Sequence, residues 1–92
     1  MSTLYFATWS DAKEVAAGYP LDAASIAVGT AWTAPQAVDP GVRRILLWPR
    51  DADMLFEAGE NPDGSGKTIP LPMGQQSYHW INGGDSFVVK EI

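Results

Sequence analysis

Residues 42–58, VRRILLWPRDADMLFEA, decide how this chain is read. The run 42–48 (VRRILLW) has no glycine or proline inside it and is rich in branched and aromatic side chains, as strands are. Its centre, Ile45-Leu46-Leu47-Trp48, puts apolar groups on both faces of an extended segment. That predicts burial on both sides, or burial against a partner. Residues 49–53 (PRDAD) supply turn formers, and 54–58 (MLFEA) read as the return strand of a hairpin.

The same pattern extends outward in both directions. Residues 77–81 (SYHWI) and 86–92 (SFVVKEI) flank Asn82-Gly83-Gly84-Asp85, a second hairpin signal. Residues 68–72 (TIPLP) are extended, but two prolines confine them to an edge. Residues 59–67 (GENPDGSGK) form a long polar surface turn, and 34–41 (APQAVDPG) a loop with an Asp-Pro-Gly reversal. In 24–33 (ASIAVGTAWT), Ile26, Val28 and Thr30 share one face, and Gly29 marks a bulge. Residues 10–17 (SDAKEVAA) are the one candidate helix, with Ser10 as N-cap and Gly18 as stop. Residues 4–9 (LYFATW) read as a strand or an extended arm. About six or seven short strands, with turn signals every roughly 8–12 residues, predict an all-β fold. The expected architecture is a small single-domain sandwich or barrel with an extended N-terminal arm. Residues 1–23 are expected to be arm and connector, and 24–92 the β domain.

Ninety-two residues suffice for one core only. Six Lys and Arg stand against eleven Asp and Glu, a formal net charge of −5. Phosphate neutralisation needs concentrated cations, so neither nucleic acid nor an anionic membrane is an expected partner. No apolar run approaches the roughly 20 residues of a spanning helix, and no basic segment precedes an apolar one as in a signal peptide. The absence of Cys removes disulfides, thiol catalysis and thiolate metal sites. A domain this small without staples is commonly stabilised by oligomerisation.

The chemical motifs are weaker than they look. Gly64-Ser65-Gly66-Lys67-Thr68 suggests a phosphate loop, but Asn61 stands where its first glycine belongs, and Ile69-Pro70 follows in place of a helix. A flexible loop is the better reading. A calcium loop starting at Asp51 needs Gly at its sixth position and Glu at its twelfth, where Phe56 and Pro62 stand. Asp51 and Asp53 read instead as turn caps. Ser77 and His79 share a strand face near Asp85, but no nucleophile elbow or oxyanion hole accompanies them. His79 is placed on the solvent face or at an interface. No catalytic residue, cofactor or metal ligand is assigned.

Four tryptophans, Trp9, Trp32, Trp48 and Trp80, are the most unusual feature of the composition. Trp48 and Trp80 lie in strong strands and read as core. Trp9 reads as interface, together with Leu4, Tyr5 and Phe6, since Trp and Tyr are common interface hot spots. Stacking on sugars is the other use of such rings. On this reading, removing residues 1–9 would abolish partner binding and leave the β core folded.

The C-terminal half has a distinctive cadence: RRILLWPRDADMLFEAGENP, then IPLPMGQQSYHWINGGDSFVVKEI. It is an apolar strand, a short polar turn, a strand ending in Phe and Gly, and Asn-Pro. Leu-Pro-x-Gly, an aromatic strand, a Gly-Asp turn and a final strand follow. This resembles small structural proteins of tailed bacteriophages, in particular the head decoration or cement type. The resemblance covers about half the chain well. It implies a non-enzymatic virion protein on the capsid exterior, bound to the major capsid protein and itself a trimer or dimer. The alternatives are a tail, neck or fibre-attachment module and a carbohydrate-binding β module.

Overall fold

A computed structural model describes residues 2–9 and 22–92, and the described residues contain no helix. They form eight strands: β1 (Ser2–Trp9), β2 (Asp22–Val28), β3 (Gln36–Ala37), β4 (Arg44–Pro49), β5 (Met54–Gly59), β6 (Ile69–Leu71), β7 (Ser77–Trp80) and β8 (Ser86–Glu91). Two four-stranded antiparallel sheets face each other. Sheet I has the order β2-β1-β4-β7, and sheet II the order β3-β8-β5-β6. The all-β reading and the sandwich both hold. The candidate helix over 10–17 lies outside the described residues.

Alternation along the strands builds the core. Leu4 and Phe6 of β1, Ile45 and Leu47 of β4, Met54 and Phe56 of β5, and Phe87 and Val89 of β8 point into the space between the sheets. Phe87 is the hub. It meets Phe6 edge-on at 5.3 Å and Phe56 at 5.6 Å. Buried rings in such contacts give more than their area alone. At one end of the sandwich Ser2 Oγ donates a hydrogen bond to Glu91, joining β1 to β8 across the layers.

Both expected hairpins are corrected by the structure. β4 pairs with β1 and β7, and β5 with β8 and β6, so 49–53 bridges the two sheets. β7 and β8 likewise lie in different sheets. Turn residues specify a reversal of the chain but not whether it returns to the same sheet. Here cross-chain bonds decide. Arg50 N–H donates to Thr3 O at 3.0 Å, and Thr3 N–H to the Asp51 carboxylate at 2.8 Å, so β4 leaves its turn still attached to β1. The 82–85 turn is held by the 38–41 segment: Gly84 N–H donates to Val38 O, and Val38 N–H to Asp85 O. A Cβ on Gly83 would stand 1.9 Å from Pro40 O, so only glycine allows this approach. The Asp39-Pro40-Gly41 turn forms as read, closed by Val42 N–H to Asp39 O at 3.0 Å.

The N-terminal arm is also corrected. Residues 2–9 are an interior strand of sheet I, hydrogen-bonded to β2 on one side and β4 on the other. Their apolar alternation fills the core, which an arm reaching beyond the domain could not do. β6, with Pro70 inside it, is an edge strand as expected.

Candidate functional site

The outward face of sheet I follows from register. Tyr5 stands opposite Trp48, Ala7 opposite Leu46 and Trp9 opposite Arg44. Across the next ladder Leu46 meets Tyr78, and Arg44 meets Trp80. All these side chains point away from the core, because their strand neighbours Leu4, Ile45, Leu47 and Phe6 point into it. Along β4 and just beyond, every second residue is Arg44, Leu46, Trp48 and Arg50. An aromatic sheet face with a guanidinium at each end results.

The rings and cations are stacked. Tyr5 and Trp48 lie 5.9 Å apart, and the Arg50 guanidinium sits 4.3 Å from the Trp48 ring and 5.3 Å from Tyr5. At the other end Arg44 lies 5.1 Å from both Tyr78 and Trp80. Such stacking is worth about 0.5–1 kcal/mol at exposed sites and orients the guanidinium forks. Tyr5 and Tyr78 are exposed, and Trp80 is 73% exposed. Beside Tyr5 and Trp48 runs a groove of about 410 Å³, its floor made by the small Ala7, Ala23 and Ser25 with Leu46.

This arrangement redistributes the residues read from sequence. Leu4 is wholly buried and Phe6 packs on the core, so neither is available to a partner. Trp9, expected at an interface, is 6% exposed, packs against Tyr78 at 5.8 Å, and has an indole N–H with no hydrogen-bond partner. Of the four residues assigned to partner contact, Tyr5 alone is exposed. Trp80, expected in the core, is among the most open side chains, and Trp48 is half-buried on the outward face. Strand strength indicated that these positions were β but not which face they took. Arg44, Arg50, Leu46 and Tyr78 were missed, although their period-two spacing in the sequence carried the signal.

His79 is corrected too. It pairs with the buried Ile45, faces inward, and stacks on Phe56 at 5.8 Å. Burial lowers its pKa from the ordinary 6.5. Ser77 Oγ lies 2.9 Å from His79 Nε2. No described carboxylate hydrogen-bonds this histidine, so the pair lacks the orienting third group of a nucleophilic triad.

The phosphate-loop look-alike has an anion of its own. Glu57 points outward from β5 yet is 7% exposed, because 59–67 folds back over it. Its carboxylate accepts Gly64 N–H at 2.5 Å and Gly66 N–H at 2.8 Å. Trp32 packs on Gly64, and the Lys90 ammonium lies 5.2 Å from the centre of the Trp32 ring. Asp63 accepts from the Ser65 hydroxyl and N–H, and these bonds hold its carboxyl below the ordinary carboxylate value. Asp51 and Asp53 do accept backbone N–H groups, but from distant segments and not from their own turn: Thr3 N–H and Met73 N–H, each at 2.8 Å. Among the described residues no three His, Cys, Asp or Glu side chains gather as a metal ligand set.

Comparison of the chain with protein-family models, curated proteins and solved structures gives no significant match.

Proposed function

We propose that this chain is a non-enzymatic virion structural protein of the head decoration or cement type, which docks on the outside of a phage capsid and stabilises it. The observation that carries the reading is the solvent-facing Tyr5, Trp48, Tyr78 and Trp80 stripe with Arg44 and Arg50 stacked on it. Trp, Tyr and Arg are the residues that dominate binding energy at protein interfaces. The cadence of the C-terminal half supports the same reading. So does the small size of the domain, for which attachment to a larger assembly is a common role. Weak contacts made to several capsid subunits at once raise the effective affinity, and binding the shell in preference to free subunits stabilises it by mass action.

The test is co-sedimentation of the purified protein with mature capsids that lack it. Saturable binding at many copies per particle is expected. A few copies per particle would move the protein to the neck or tail, and no binding would contradict the proposal. The exposure of Trp80 beside Tyr78 also suits a sugar ring. Tryptophan fluorescence titrated with common glycans distinguishes that second reading: a shift supports it, and an unchanged spectrum counts against it.

A further inference from the structure

We infer that the outward face of sheet I docks on an acidic protein surface, with Arg44 and Arg50 as the two charged anchors and Trp80, Tyr78, Trp48 and Tyr5 as the apolar contacts between them. The inference deepens the reading above by naming the face used and the chemistry of the surface it meets.

Charge segregation is the argument. The chain has eleven Asp and Glu against six Lys and Arg. Yet the outward positions of β1, β4 and β7 hold Thr3, Tyr5, Ala7, Trp9, Arg44, Leu46, Trp48, Tyr78 and Trp80, with no carboxylate among them. Those of the outer strand β2 are Ala23, Ser25 and Ala27. Asp51, the acid next to Arg50, is already engaged by Thr3 N–H. Among the described residues, the strand positions of this face therefore carry positive charge only, in a chain that is acidic as a whole. Such a face is complementary to carboxylates.

Geometry adds specificity. Each guanidinium lies within 5.3 Å of two ring centres, and a guanidinium held against rings can still offer its N–H fork to a carboxylate in bidentate fashion. Arg44 and Arg50 are six residues apart along one extended segment, about 20 Å at the usual strand rise. The partner surface should offer carboxylates at that separation, flanking an apolar patch. Closure would exclude water from the rings and strengthen both ion pairs.

The experiment compares wild type, R44E/R50E, R44K/R50K and the control E60K, which lies on the loop of the other sheet. Each is co-sedimented with capsids lacking the protein and titrated with poly-L-glutamate at low salt, read by tryptophan fluorescence. Circular dichroism verifies folding, and the substituted groups are on the surface. The expected result is capsid affinity reduced about tenfold or more in R44E/R50E, a smaller loss in R44K/R50K and none in E60K. Poly-L-glutamate should quench wild type, with salt reversal, and leave R44E/R50E unchanged. If wild type binds capsids and R44E/R50E binds equally well, the inference is overturned while the decoration role stands. If wild type binds no capsids, the decoration role fails and the poly-L-glutamate arm decides the inference. Quenching in wild type but not in R44E/R50E supports it, and equal or absent responses overturn it.

Discussion

The two sheets of this sandwich treat their outward faces in opposite ways. On sheet II the chain covers itself. The 59–67 loop closes over Glu57, Trp32 seals the loop at Gly64, and Val88, outward on β8 beside Glu57, is 1% exposed. On sheet I the aromatic side chains Tyr5, Tyr78 and Trp80 remain open to solvent, ordered by two guanidiniums. Isolated exposed apolar residues need no explanation, but an aromatic set in register across three strands does. The comparison teaches that this chain can bury an outward apolar face when it uses a loop to do so, and that on the other face it buries Ala7 and Trp9 but leaves Tyr5, Tyr78 and Trp80 open.

If the comparison is sound, changes to sheet II and to the strands cost stability, whereas changes to the open face of sheet I cost binding. Deleting residues 1–9 is the most severe test. It removes a central strand, so cooperative unfolding in urea should disappear altogether, in place of the intact core expected of an arm. Gly64→Ala comes next. The glycine has φ +89°, and a Cβ there would stand 2.1 Å from the Trp32 indole. Backbone strain and overpacking together should lower stability by about 2–4 kcal/mol, read as a shift in the urea midpoint. Glu57→Gln keeps the shape but gives up the charge on two backbone N–H bonds, at a cost of about 1–3 kcal/mol in the same assay.

A smaller effect concerns His79. Its pKa is lowered in the fold, so between that value and the ordinary 6.5 the unfolded chain takes up the proton while the native state does not. Stability is therefore fully present above pH 6.5 and declines as pH falls through that window. His79→Gln should flatten the decline in denaturation curves measured from pH 7.5 to 5. Trp80→Ala should change stability least, by less than about 0.5 kcal/mol, because the ring is mostly in water. If Trp80→Ala destabilised the fold as strongly as Gly64→Ala, the contrast between the faces would be wrong.

Much of the strand content was legible in the sequence, because it is local. The 42–48 run, the 86–92 run, the proline-bearing edge at 69–71 and the Asp39-Pro40-Gly41 turn all appear where composition placed them. Pairing was not legible. The turns at 49–53 and 82–85 look like hairpin turns, and the bonds that make them cross between sheets come from Thr3 and Val38, far away in the chain. Faces were legible only where one side was plainly polar. In 42–48 both sides are apolar, so the pattern alone is compatible with Trp48 in the core; the pairing of Leu4 with Pro49 and Phe6 with Leu47 fixes the inward set and puts Trp48 outside. Glu57 was hidden for a related reason. A carboxylate outward on a strand reads as solvated, and its use as the anion in a glycine loop emerges only when the loop folds back.

The most direct measurement is hydroxyl-radical footprinting of the tryptophans in the free protein and in protein bound to capsids. The account requires Trp80, open in the free protein, to become protected on binding, with Trp48 following and Trp32 on the opposite face unchanged. Protection of Trp32 with Trp80 still oxidised at its free rate would contradict it.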